Sequence, residues 1–428
     1  MSVTSKIHLC LPFAFCLVTA QAQPSITSQP ANQNIQIGAT AAFSVTVSDT
    51  EPITYLWQFN GTNVLNQIIT IAGINTNSYS GDNGPATNAA LNSPFGVCVD
   101  SSGNVYIGDS GNQRVRKVST NGIITTFAGM GAPSFNGDGG QATNTFLHTS
   151  TRLAIDSLGR LYIADTANYR VRRVNTNGIV STFAGNGNPG DTGDNGAAIA
   201  AELEGMSGIA FDLQGDFYIS DDVNGRIRKV GANGIITTLV SGLVGPGGLA
   251  AIASNAVLVA ESEITQTLTN SRVQNYDNGV LSTFAGNGSL GFSGDGGDPT
   301  AARLSLPLDV VFAPKPAFYI ADSGNARIRQ VTAGPPGVFG LPTTVISTMA
   351  GNGIHGTSGD GSVATNASIN RPVSLAVDAA GDLYIADEIG NRIREVSAFA
   401  TGPTSPWARF QCLRLAVTPS LSATQAEV

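Results

Sequence analysis

The chain is poor in charge, in histidine and in cysteine. Charged side chains make up 12% of its 428 residues, against the ~25% usual for globular chains. Acidic residues outnumber basic ones by 30 to 22, for a net charge of -8. A chain so short of Lys and Arg offers no electrostatic footprint for a phosphate backbone, which excludes nucleic acid as a partner class. Three histidines leave little for paired proton transfer. Four cysteines are too few for a disulfide-stapled scaffold of this length. Cys10 and Cys16 fall in the first 22 residues, while Cys98 and Cys412 sit at opposite ends of the remainder, and Cys98, in Gly-Val-Cys-Val-Asp, reads as a small buried hydrophobe. Beyond the leading segment no run reaches the ~18 consecutive apolar residues of a membrane span. His-Glu-x-x-His, Gly-x-Ser-x-Gly and Cys-x-x-Cys are all absent, and the glycine-rich loops lack the Lys of a phosphate cradle.

What the chain has in quantity is turn formers, with 51 Gly and 20 Pro, a balance that suits many short strands joined by tight turns. Residues 1–22 carry Lys6, the apolar run LCLPFAFCLVTA and the small-residue exit Ala20-Gln21-Ala22. These features predict a secretory signal peptide cut before Gln23, and hence a chain that is secreted or held in the periplasm or cell envelope.

One segment recurs: YIGDSGNQRVRKV at 106, YIADTANYRVRRV at 162, YISDDVNGRIRKV at 218, YIADSGNARIRQV at 319 and YIADEIGNRIREV at 384. The spacings are 56, 56, 101 and 65, and the long gap holds a degenerate sixth copy, LVAE at 258 with RVQNY at 272. Each copy resolves into four strands. A first strand ends in a turn such as DSSGN, where Asp starts the turn and Gly supplies the positive φ. The second strand holds Tyr-Ile-Ala-Asp and the third Arg-Ile-Arg. Asn-Gly pairs, Asn121-Gly122 through Asn278-Gly279, then lead into a β-branched fourth strand. Six such units predict an all-β, six-bladed β-propeller over residues 67–397. The last copy ends at Val396 without a fourth strand, and an ownerless one, Gln67–Gly73, precedes the first copy. The N-terminal strand is therefore expected to complete the last blade and close the ring.

The segment YIAD-x-x-N-x-R-I-R-K-V, following a P-x-G-V-x-V-D strand, resembles the NHL repeat, and the AGNG…SGDGG…AT…L links look like those of exported bacterial NHL proteins. The resemblance covers about 330 residues. It implies a six-bladed propeller with a binding role, its partners being protein, RNA or glycan in different relatives, and it implies no catalytic mechanism. Residues 23–66, with Trp57 inside a strand, are similar to the first three strands of a bacterial immunoglobulin-like domain. They are too short for the roughly 100 residues of a whole sandwich. The tail, 398–428, shows neither the blade pattern nor a period and is expected to be disordered.

Five of the six links carry an Asp nine residues after an Ala-Gly: Asp82, Asp138, Asp194, Asp295 and Asp360; the degenerate fourth unit lacks this loop. Their expected role is to bond local backbone amides ahead of an Ala-rich helical turn. The alternative is to supply oxygens for calcium or hydrogen bonds for sugars, together with Asp109, Asp165, Asp221, Asp322 and Asp387 at the neighbouring turns. For that second group, pairing with Arg114, Arg170, Arg226, Arg327 and Arg392 is the structural alternative. No cofactor is expected, calcium being the one candidate. At the channel mouth, twelve residues before each Tyr, only Asp309 is acidic, and His148 and His355 lie in links of non-neighbouring blades. The pattern therefore points to a monomeric, non-catalytic binding or scaffold propeller that recognises a protein or polysaccharide through its loop-rich face. The competing class is a lactonase-like or lyase-like enzyme working at the central channel.

Overall fold

In the computed structural model, residues 66–397 are described apart from 265–268, 314–316 and 333–343, preceded by four short strands. Those four form two antiparallel pairs, Ser25–Ser28 with Thr46–Ser48 and Gln58–Phe59 with Thr62–Asn63. They are all that is described of the expected immunoglobulin-like segment. The expected signal peptide, 1–22, and tail, 398–428, lie outside the described residues. Residues Ile68–Val396 form one unit, separate from the flanking residues.

That unit is a six-bladed propeller. The inner strands are Pro94–Val99, Ser150–Ile155, Met206–Phe211, Pro246–Ala253, Pro307–Ala313 and Pro372–Val377. From each, three further antiparallel strands follow outward, in chain order in the first five blades. The turn chemistry that fixes each blade is visible at Asp100. One of its carboxyl oxygens accepts the N–H groups of Ser102 and Asn104, and the other accepts the Tyr106 hydroxyl. Gly103, at φ 85°, completes the turn. Asp156, Asp212 and Asp378 repeat the pattern, so Tyr106, Tyr162, Tyr218 and Tyr384 are each anchored to their own turn. Between blades, aromatic rings fill the wedge. Tyr162 meets Phe183 and Phe211 edge-on at 4.9 and 4.8 Å between blades 2 and 3.

Ring closure follows the sequence expectation. Gln67–Ala72 pairs antiparallel with Arg392–Val396 as the outer strand of blade 6, Ile68 opposite Val396 and Ala72 opposite Ile393. Ile68 is fully buried with Ile369, Leu383 and Val396.

The links differ from expectation in their course. They leave and return on the face that carries the second-to-third turns, yet those before blades 1, 2, 3, 5 and 6 dip along the outer edge of the blade they precede. Gly84–Pro85 pairs with Ile123 and Ile124, and Ala86 donates its N–H to the Gly122 carbonyl at the opposite end of that strand. The Ala-rich segment is a single 3-10 turn, Ala86–Asn88 in blade 1. The physical reason is that blades diverge outward, and only the links are available to fill the widening wedge and to pair the open strand edge.

Two predictions follow from this packing. Ile68→Ala should cost about 2–5 kcal/mol, as much as Ile124→Ala at the equivalent position of blade 1. Denaturant unfolding checks this, and a cost near zero for Ile68→Ala alone would mean the clasp does not hold. Glu395, 1% exposed, is pushed up to about 8 by burial, then by the charges of Asp382 and Asp378. A carboxyl raised in the folded state contributes stability that is full below its unfolded value and is lost as pH rises through 8. Glu395→Gln should therefore flatten the fall in stability between pH 6.5 and 8, which is otherwise ~1.4 kcal/mol per pH unit for one group.

Candidate functional site

The wedge arginines organise the candidate site. The second Arg of each Arg-x-Arg segment, Arg116, Arg172, Arg228, Arg329 and Arg394, is fully buried. Each binds the link aspartate 34 residues before it: Asp82 at 2.6 Å, Asp138 at 2.8, Asp194 at 2.8, Asp295 at 2.6 and Asp360 at 2.6. In blades 1, 2, 3 and 5 the same guanidinium also faces the strand-end aspartate, Asp109, Asp165, Asp221 or Asp322, at 3.4 to 3.7 Å. Link carbonyls take up further donors, as Ser80 does from Arg116 at 3.1 Å and Ser368 does from Arg394 at 2.7 Å. A buried guanidinium is tolerated because its charge is met by carboxylates on two sides or one, although the Nε of Arg172, Arg228, Arg329 and Arg394 finds no hydrogen-bond partner.

The link aspartates thus reach across to the blade rather than bonding only their own loop. Asp82 also accepts from Thr126 at 2.7 Å and from Tyr79 at 2.8 Å. Burial opposes ionisation there, but hydrogen bonds from Thr126, Tyr79 and Arg116 carry its carboxyl below the usual range. The second group is more deeply set. Asp109, Asp165, Asp221, Asp322 and Asp387 are all 0% exposed. Each accepts the N–H of the residue 17 before it: Asn92, His148, Glu204, Ser305 and Asn370. Burial pushes Asp109, Asp322 and Asp387 up to about 6 against the pull of those bonds. In blades 1, 2, 3 and 5 an Asn, such as Asn112, bonds the same carboxylate and the carbonyl of a link residue 34 back.

Of the five arginines expected to pair with this second group, Arg226 lies 2.8 Å from Asp221. Arg114, Arg170 and Arg327 instead donate to link carbonyls and lie under the rings of Tyr79, Phe135 and Phe292 at 3.9, 4.1 and 3.9 Å. Blade 3 has Asp191 where those rings stand, so Arg226 turns inward. The three rings remain 37–42% exposed.

At the axis the decisive residue is Arg152, which sequence reasoning missed. A bulge follows the first residue of each inner strand and swings the next side chains inward. Arg152 of blade 2 is 4% exposed and spans the channel. It donates to the carbonyls of Ser207, Val373 and Leu308 at 2.7 Å each and to the Asp309 carboxylate at 3.1 Å. Burial pulls the guanidinium down and pushes the Asp309 carboxyl up, and each opposes the other's shift. Three carbonyls and a carboxylate surround the guanidinium's fork of donors. Gly248 makes room, since a Cβ there would overlap the Asp309 carboxyl. His148 lends its backbone N–H to Asp165, and His355 is exposed in its link. Among the described residues no three His, Cys, Asp or Glu side chains cluster as a metal site.

Removing one partner of a buried pair leaves an unmatched charge, which costs about 3–5 kcal/mol. Arg172→Met, which strands fully buried Asp165, should fall in that range by denaturant unfolding. Asp138→Asn should cost clearly less, because Asp138 is 41% exposed and the Gly137 carbonyl still accepts from Arg172. Equal costs would contradict this assignment.

Comparison with known proteins agrees with this architecture. A family model described as the Teneurin NHL domain matches residues 71–134, from the closing strand through blade 1 into the next link. Teneurin-1 of Gallus gallus is 29% identical over 273 residues, 60% of this chain and 8% of that protein. The chain therefore spans under a tenth of that relative's length. A protein of unknown function from Bacteroides thetaiotaomicron VPI-5482 superposes with a TM-score of 0.57 at 16% identity, covering 87% of this chain and 90% of the other. An auxiliary nutrient binding protein from the same organism gives 0.55 at 16% identity, covering 77% and 75%. The resemblance read from the repeats stands at the level of repeat and fold: the recurring units are NHL-type, and together they build a six-bladed β-propeller.

Proposed function

We propose that this is an exported, non-catalytic binding propeller that recognises a protein or a glycan through the face where links and second-to-third turns emerge. The observation that carries the reading is the seal at the axis. The six inner strands hold one carboxylate and one guanidinium, and these are spent on each other and on backbone carbonyls. Activity at the channel mouth would need those groups free. The opposite holds at the loop-rich face. Tyr79, Phe135 and Phe292, held flat on arginine pairs, are joined there by exposed Met130, Val223, Ile354 and Ile389. Rigid rings with one free side are suited to sugar faces and to protein anchors alike. The ten aspartates act as the frame that positions these rings.

A lactone and uronate turnover assay on the purified chain, run beside a thermal-shift series with soluble polysaccharides, calcium and a chelator, tests the reading. The expected result is no turnover, a midpoint indifferent to calcium and chelator, and any ligand-induced rise abolished by Phe135→Ala. Turnover that vanishes with Asp309→Ala would sink it in favour of the lactonase-like or lyase-like alternative.

A further inference from the structure

Blade 4 lacks the cover that every other blade wears. At one position of the outer strand, Ile124, Val180, Ile236, Ile346 and Ile68 are at most 1% exposed. The carbonyl of each accepts the N–H of the residue just after the link aspartate, Asn83, Gly139, Asn195, Gly296 and Gly361, at 2.8 to 2.9 Å. Val180 and Ile346 also send their own N–H outward, to Gly140 and Gly297. The same links bury three small or apolar side chains in the wedge at a fixed spacing, as with Ala198, Ala201 and Leu203 or Ala364, Ala367 and Ile369. The link before blade 4, 242–245, is too short to do any of this. The equivalent residue there, Leu281, is 43% exposed beside Val280 at 65%. Among the described residues no backbone group pairs with the outer side of Leu281. Beside this edge a cavity of about 430 Å³ opens between blades 3 and 4, lined by Thr237, Leu239, Tyr276 and Asn278 among others.

We propose that the bare edge of blade 4, centred on Leu281, is a docking site for an extended segment of another polypeptide. The segment adds to the sheet as a fifth strand and seats its side chains in the wedge between blades 3 and 4. The five covered blades define its chemistry, because they show what this wedge accepts. It is rich in Gly and Ala, carries the Ala-x-x-Ala-x-Leu spacing, and needs no carboxylate. Blade 4 has Gln274 where the others bury an Arg, paired in register with Thr283 as Arg172 is with Thr182, so the charge that a link aspartate would answer is gone along with the loop. A second copy of the chain is the poorer occupant. Its own edge strand could match hydrogen bonds, but it is flanked by its blade and cannot send side chains down into the wedge. The site lies apart from the axis and from the rings of the loop-rich face, so it stands or falls independently of the function proposed above.

The test uses the full chain and a fluorescent synthetic peptide copying residues 357–370 with Asp360→Ser. Saturable binding is expected, weakened about tenfold or more by Leu281→Pro, which removes the outward N–H, and by Leu281→Glu, which keeps the backbone and places a charge in the wedge. The same peptide carrying Ala364→Glu and Ala367→Glu should not bind. Hydrogen exchange gives an independent readout: the Leu281 amide should exchange rapidly in the free chain, unlike Val180, and slow when the peptide is added. Absence of saturable binding, or binding indifferent to both Leu281 variants, would overturn the proposal. So would a Leu281 amide already protected in a chain that sediments as a dimer, which would hand the edge to a second copy.

Discussion

The ion pair between a link aspartate and a wedge arginine is the contact on which the rest of the propeller leans. A blade by itself is a small antiparallel sheet with two apolar faces and an open edge. Joining six into a ring leaves wedges that widen outward, and the chain fills them with its own links. A link rich in Gly, Ser and Ala has little apolar surface with which to hold itself there. The guanidinium supplies what burial cannot. Arg116 gathers Asp82, Asp109 and the carbonyls of Ser80 and Ala90, so that link, third strand and second strand share one charge. Once that geometry is set, the loop backbone is delivered to the outer strand, and the aromatic residue three positions before the aspartate lands on the exposed side of the arginine pair.

The blade without this pair shows the dependence from the other side. In blade 4 the carboxylate that ends the second strand of the other blades has its counterpart in Glu261, opposite Pro246. It takes the N–H of Val244, the Asn270 amide and Arg272, so the inner half of the motif is intact. The outer half, Arg with its loop, is absent as a unit. Keeping the Arg without its loop would have left a buried guanidinium short of a carboxylate partner. The second and third strands have instead grown to nine residues each, where the other blades have five or six.

Much of this was legible in the sequence, because repetition multiplies weak signals. Six copies of a Tyr-Ile-Ala-Asp strand, regular Asn-Gly turns and one surplus strand at Gln67 sufficed for blade number and ring closure. The wedge pair was legible too, in the constant 34-residue interval between each link aspartate and the second arginine, and in the joint loss of both from the fourth unit. Turn preference at Gly-Asp-Gly drew attention to the local backbone instead. Arg152 was beyond such reading. It occurs in one blade, its carboxylate partner is 157 residues away, and the carbonyls it binds belong to blades that meet only through the ring. Periodicity reports what recurs, and the axis is the one place where each blade contributes something different.

The clasp in blade 6 also sets a schedule for the ribosome. Gln67–Ala72 emerges before any blade exists, and its pairing partner, Arg392–Val396, is made some 320 residues later. At ~5–20 residues per second that is a wait of roughly 16–64 s. For all of it a β-prone strand with both edges bare must avoid its neighbours while five complete sheets assemble downstream. The ring is therefore finished by the oldest part of the propeller meeting the youngest, and no nascent intermediate can be a closed one.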